Sequence, residues 1–125
     1  MALPQRAVVV ATPNFAAGLE GARAFFVEQD DATADVRFRA LRAELREMLE
    51  TLRWAPAGGR PARFLSTRSV QARIRARKVE ALASEVGLPH LREYVLKQHV
   101  VLYAHSSDRV VLLAIRHQRQ LGYAV

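Results

Sequence analysis

The chain has 125 residues, of which 50% are hydrophobic, 25% are charged and none is cysteine. These values are typical of a globular protein, and we expect a single domain over residues 1–125. They exclude disulfides and thiolate chemistry, and no apolar run approaches the roughly 18 residues that a membrane span needs.

The net charge of +7 is concentrated in the second half of the chain. Residues 1–59 carry seven Arg against eight Asp and Glu, which gives −1. Residues 60–125 carry ten Arg and two Lys against four acids, which gives +8. A basic half of this kind indicates either a phosphate-rich or acidic partner or a basic face in solvent.

The first half of the chain predicts a strand followed by two helices. Residues 6–11 form a β-branched run that is typical of a strand. Thr12 and Pro13 are an N-cap and a first helical residue, and the apolar spacing predicts a helix over residues 13–28. The same spacing predicts a second helix over residues 35–54. Two amphipathic helices with a short connection predict an antiparallel hairpin that covers one face of a sheet.

The second half predicts a third helix and three more strands. Residues 56–61 are rich in Pro and Gly and predict a loop, and residues 70–86 predict a surface helix crowded with basic side chains. Strands are predicted over residues 91–96, 99–105 and 109–117. The predicted fold class is therefore α+β: an N-terminal strand, a long antiparallel helix hairpin, an inserted helix and an antiparallel meander sheet packed on the helices.

The last two strands predict a β-hairpin that turns at residues 106–108. A three-residue loop pairs Lys97 with His117 as cross-strand neighbours. The face with Leu102 and Ala114 is then aliphatic, and we expect it to pack on the helix hairpin. The opposite face is expected to carry any chemistry, and it holds Lys97, His99, Tyr103 and His117.

The order of these elements, together with four short motifs, resembles the RelE/ParE family of bacterial type II toxins. The motifs are Pro56-x-x-Gly59-Arg60-Pro61, Leu91-Arg92-Glu93-Tyr94, Val100-Val101-Leu102-Tyr103 and Val110-Val111-Leu112-Leu113-x-Ile115-Arg116-His117-x-Arg119-Gln120. The resemblance spans nearly the whole chain and implies a cytoplasmic toxin that a cognate antitoxin holds inactive. The helix over residues 70–86 departs from the family pattern.

Two molecular actions exist in this family. RelE-like members cut mRNA on the ribosome, using basic residues and often a His or Tyr near the C-terminus, whereas ParE-like members inhibit DNA gyrase without that catalytic set. We favour ParE-like gyrase inhibition because the helix pair is long and only eight residues follow His117. The alternatives are a ribosome-dependent, metal-independent mRNA endoribonuclease and a small basic nucleic-acid-binding domain.

A nuclease requires an acid and a base for proton transfer and cations that stabilise the phosphorane. The residues expected to be catalytic in that case are His117, Arg92, Lys97, Arg119 and Tyr123. The residues expected to bind a nucleic acid or a protein target are Arg60, Arg63, Arg73, Arg77, Lys78 and Arg116. No metal or other cofactor is expected. The expected partners are the antitoxin and either DNA gyrase or the ribosome with its mRNA.

Overall fold

The structure is a computed structural model that describes residues 6–62, 70–120 and 123. Its elements in chain order are β1 (Val8–Ala11), α1 (Pro13–Gln29), α2 (Asp31–Trp54), β2 (Arg60–Pro61), α3 (Val70–Val86), β3 (His90–Val95), β4 (His99–His105) and β5 (Arg109–His117). The predicted α+β class is confirmed, and the two-residue strand β2 was not predicted. Within the described residues, no helix is long and apolar enough to cross a membrane.

The five strands form one mixed sheet in the order β1-β5-β4-β3-β2. Strand β1 lies at one edge and runs parallel to β5, whereas the other neighbouring pairs are antiparallel. Strand β4 lies in the middle, and all seven of its residues are buried. Strand β4 is therefore the central, fully buried strand of the sheet.

The helix boundaries are set by short polar residues. Thr12 precedes α1, and its Oγ1 accepts the Phe15 N–H at 3.1 Å. Asp30 is the only residue between α1 and α2, and its carboxylate accepts the Ala32 N–H at 3.1 Å. Because an N-cap can start a helix wherever it satisfies these free N–H groups, α2 begins directly after Asp30 rather than at residue 35.

Both faces of the sheet are covered. Helices α1 and α2 pack against each other, and they bury one face of the sheet in a core that includes Leu41, Met48, Leu52, Val101 and Tyr103. Helix α3 covers the other face in a core that includes Val79, Leu82, Val100, Leu102 and Leu113. The prediction that α3 is a surface helix is confirmed, and its Ile74 is 51% exposed.

The predicted register of the β4–β5 hairpin is wrong. His99, rather than Lys97, lies opposite His117. Nearer the turn the pairing shifts by one residue, because Leu113 is a bulge that has no partner of its own in the ladder. Lys97 lies in the connection between β3 and β4.

The predicted assignment of the two faces is also wrong. Val101 and Tyr103 pack on the helix hairpin, whereas Leu102 and Ala114 lie in the core beneath α3. Apolar alternation specifies a register only where one face of the strand is polar. Here α3 buries the second face, so both faces are apolar and the pattern does not distinguish them.

Gly59 lies where the loop after α2 meets the sheet. Its N–H donates to the Tyr103 hydroxyl at 2.8 Å, and that hydroxyl donates to the Pro56 carbonyl at 2.8 Å. A Cβ on Gly59 would lie 2.5 Å from the carbonyl oxygen of Glu93 and 2.7 Å from the Tyr103 hydroxyl. The backbone of this loop can therefore reach the sheet only without a side chain at residue 59.

Replacing Gly59 by Ala is expected to lower the free energy of unfolding by about 1–3 kcal/mol, because the added methyl overpacks this contact. The matched control is Gly21→Ala in α1, where an added Cβ meets no atom within 4 Å. It should raise the free energy of unfolding by up to about 1 kcal/mol, since Ala favours a helix over Gly. Urea unfolding measures both variants, and equal effects would contradict the close approach at Gly59.

Candidate functional site

A groove of about 1020 Å³ lies between α1 and the adjoining ends of β4 and β5. Helix α1 lines it with small residues that include Ala17, Gly18 and Gly21, and the strand ends line it with His99 and His117. It lies on the side of the sheet that the helix hairpin covers. We call this cavity the α1 groove.

Glycine at residue 18 brings α1 close to β5. A Cβ on Gly18 would lie 3.0 Å from Cγ2 of Ile115, so the absence of a side chain at residue 18 lets the helix approach the strand. Gly21, about one turn later, lines the groove, and nothing would lie within 4 Å of a Cβ added there. The two glycines therefore act differently: one permits packing, and the other leaves space.

The α1 groove is cationic. Lys97 and Arg119 are exposed at it, and Arg37 and Arg116 also line it. Glu28 is the one acidic side chain among the described lining residues, so four cations against one acid give a local charge of +3 with neutral histidines. A concave surface with this charge attracts anions.

Two histidines form an aromatic cluster with two phenylalanines at this end of the sheet. His99 and His117 face each other across β4 and β5, with ring centroids 5.2 Å apart. Phe26 lies edge-on to His99 at 6.0 Å, and Phe25 lies 6.4 Å from His117. Burial lowers the pKa of His99 below its ordinary value of 6.5, and the neighbouring His117 lowers it further. His99 is therefore neutral at pH 7 and offers one donor and one acceptor.

Three of the five predicted catalytic residues come together in the α1 groove: His117, Lys97 and Arg119. Nδ1 of His117 accepts the backbone N–H of Arg119 at 3.1 Å. The backbone N–H of Lys97 donates to Oε1 of Glu44 at 2.9 Å, which holds the β3–β4 connection against α2. These three residues line one groove, although not through the predicted cross-strand pairing of Lys97 with His117.

Tyr123 lies elsewhere, on the α3 side of the sheet. Its hydroxyl donates to Oε2 of Glu93, a carboxylate that is only 1% exposed. Arg60 Nε lies 3.6 Å from one oxygen of this carboxylate, and Arg116 Nη2 lies 3.8 Å from the other. Burial and the bond to Glu93 raise the pKa of Tyr123 above its ordinary value of 10. We call these four residues the Glu93 network.

Arg116 connects the Glu93 network with the α1 groove. Its Nη2 pairs with Glu93, whereas its Nη1 donates to the carbonyl oxygens of Gln118 at 3.3 Å and Gln120 at 3.0 Å. These bonds hold the segment that follows β5 at the end of the sheet. Arg119 lies within that segment, so the buried ion pair positions a cation at the groove.

Arg92 occupies a third place, near the other end of β4. Its Nε donates to Nε2 of His105 at 3.1 Å, and its Nη1 donates to the Gly59 carbonyl at 3.2 Å. His105 can accept this bond only when neutral, with its proton on Nδ1, which lies 3.2 Å from the Ser106 carbonyl. Burial lowers the pKa of His105, and the nearby His90 and Arg92 add to this effect.

The remaining predicted binding residues do not join the groove. Arg73, Arg77 and Lys78 are exposed on α3, and Arg60 belongs to the Glu93 network. Arg63 lies outside the described residues. The predicted catalytic and binding residues are thus divided between the α1 groove, the Glu93 network, the Arg92–His105 contact and the surface of α3.

Sequence reasoning missed Arg37 as part of this site, and it placed His99 on the same face as Lys97 and His117 without assigning it a role. The predicted register paired Lys97, rather than His99, directly with His117. A signal for the helical wall was present, because Ala17, Gly18 and Gly21 recur at a spacing that brings them to one face of α1. That signal shows small residues on one face, but it does not show which element lies opposite.

Comparison with known proteins assigns no family. The chain matches no protein-family model, and no curated protein matches it significantly. Within the described ranges, no group of three or more His, Asp or Glu side chains is placed to hold a metal ion. The groups that the α1 groove offers to a ligand are cations, imidazoles and aromatic rings.

The lowered pKa values of His99 and His105 predict a loss of stability in weak acid. Since the unfolded chain takes up protons near pH 6.5 and the folded chain only at lower pH, the free energy of unfolding should fall as the pH drops below about 6.5. Urea unfolding at about pH 7.5 and 5.5 measures this loss. The loss of unfolding free energy between these pH values should be smaller in His105→Gln, because glutamine does not titrate.

His90→Gln is the matched control, because it removes an exposed imidazole next to His105. This variant should keep most of the acid-induced loss. A wild-type stability that stays constant between the two pH values, or an equal loss in His105→Gln, would contradict the assigned neutral state.

Proposed function

We propose that this protein is a RelE/ParE-like toxin of a type II toxin–antitoxin system, and that it stops growth by binding DNA gyrase rather than by cutting mRNA. The order of elements supports the first part: a strand, a helix hairpin, a Gly59-Arg60-Pro61 segment and a meander that ends in a basic segment. The tight contact of Gly59 with Tyr103 gives that Gly-Arg-Pro segment a structural reason.

We propose gyrase binding rather than mRNA cleavage because the predicted nuclease residues lie in separate places. RNA cleavage needs an acid, a base and cations around one phosphate. His117 lies in the α1 groove, whereas the Tyr123 hydroxyl is bonded to the buried Glu93 and Arg92 is bonded to His105. A set divided in this way supports binding rather than phosphoryl transfer.

Helix α3 offers a surface suited to a protein target. Arg73, Arg77 and Lys78 are exposed on it, and Ile74 beside them is 51% exposed. Arginine is enriched at protein interfaces, and the buried centre of an interface is more apolar than the rest of the surface. An antitoxin for such a surface would be acidic and would fold as it binds.

Induced expression of the chain in bacteria is expected to stop growth, and the purified protein is expected to inhibit supercoiling by gyrase. Replacing His117 by Ala should leave both effects unchanged, because the proposal gives it no catalytic role. Replacing Arg73, Arg77 and Lys78 together by Gln should weaken both effects. Co-expression of a neighbouring open reading frame that encodes a short acidic protein should restore growth.

Leu52→Asp is the control for dependence on the fold, because Leu52 is 0% exposed and a buried carboxylate there should prevent folding. Growth that continues on induction of the wild-type chain would refute the toxin proposal. Cleaved mRNA ends that appear in primer extension and vanish in His117→Ala would favour the endoribonuclease alternative.

A further inference from the structure

We infer that the α1 groove is a binding site for a nucleoside phosphate, either as a free nucleotide or as part of a single strand. The inference concerns the helix-hairpin side of the sheet, whereas the target surface proposed above lies on α3. It therefore holds whether or not the chain acts on gyrase.

Two cations at the groove are available to a phosphate. Arg37 and Arg116 are engaged by the protein, the first with Gln29 at 2.8 Å and over the Phe26 ring at 4.3 Å, the second in the Glu93 network. Lys97 and Arg119 are exposed, and neither has an ion-pair partner among the residues that the structure describes. Both line the groove together with His117 and can donate hydrogen bonds to phosphate oxygens.

His99 is the second observation that points to a ligand. It is 4% exposed and lines the groove, and its ring nitrogens make no hydrogen bond within the described part of the chain. Among the described residues, Arg60 Nε is the only fully buried side-chain polar atom without a partner, so the ring nitrogens of His99 are open to the groove, where a ligand can bond to them. Neutral His99 can both donate and accept, which suits the edge of a nucleobase.

Aromatic side chains that line the groove together with Lys97 and Arg119 favour a nucleotide over other anions as the ligand. Phe25 is 43% exposed and lies near His117, so a flat base can stack at the groove. Positive charge combined with exposed aromatic faces is the general pattern of sites for unpaired nucleotides. An acidic peptide would use Lys97 and Arg119 but would leave these ring faces uncovered.

Gly21 leaves room for a ligand in the α1 groove. A glycine inside a helix costs about 1 kcal/mol relative to alanine, and at Gly21 neither a positive φ nor a close neighbour requires it. Its missing side chain leaves the groove open beside Phe25. At about 1020 Å³, the groove is larger than a lone phosphate needs and matches the volume of organic-ligand sites.

Calorimetric titration of the full-length protein with AMP, a hexamer of single-stranded RNA, inorganic phosphate and hexaglutamate tests the inference. AMP or the RNA should bind at least about tenfold more tightly than phosphate or hexaglutamate, since stacking adds to the ionic contacts. Similar affinities for AMP and RNA assign a free nucleotide, and binding of RNA alone assigns a strand. Ring proton shifts of His99 and His117 should report the same binding by NMR.

Gly21→Leu should reduce the affinity at least about tenfold by filling the groove, whereas Gly21→Ala should keep it. Lys97→Gln with Arg119→Gln should weaken binding to a similar extent, and the matched pair Arg73→Gln with Arg77→Gln on α3 should not. The inference is overturned if neither AMP nor RNA binds, if phosphate or hexaglutamate binds as tightly, or if Gly21→Leu binds normally while thermal melting shows that it is folded.

Discussion

Burial of β4 on both faces is the constraint on which the rest of the structure depends. Every polar group that the strand carries has to find a partner or meet a cavity. The Tyr103 hydroxyl bonds to the loop at Pro56 and Gly59, and His105 bonds to Arg92 of the neighbouring strand β3. His99 at the opposite end opens onto the α1 groove. The loop after α2, the neighbouring strand β3 and the groove thus all contact polar side chains of one buried strand.

Helix α3 covers a face of the sheet that contains the buried carboxylate of Glu93. A buried charge is tolerated only when it is paired, and Glu93 is approached by Arg60, Arg116 and Tyr123 from three different segments. Arg116 at the same time binds the carbonyl oxygens after β5. The compensation of one buried charge therefore fixes the chain segment that presents Arg119 at the groove.

Local patterns predicted the elements, whereas the site depended on contacts between distant residues. Thr12 and the helical period were sufficient to predict α1, because caps and amphipathic spacing act over a few residues. The register was not predictable, since α3 makes both faces of β4 and β5 apolar and Leu113 forms a bulge. The groove was missed for a related reason: its walls come from α1 and the ends of β4 and β5, and the approach of Gly18 to Ile115 is a contact across about a hundred residues of sequence that spacing within α1 does not report.

The sheet separates two surfaces of different chemistry. Helix α3 presents exposed arginines on one side, and the α1 groove presents Lys97, Arg119 and two imidazoles on the other. Arg116 connects the α1 groove with the Glu93 network, and its bonds to Glu93 and to backbone carbonyls commit its guanidinium to the fold. An anion that enters the groove therefore meets Lys97 and Arg119 without breaking the buried pair. Because the surfaces lie on opposite faces of one sheet, occupation of the groove leaves α3 free to contact a macromolecule.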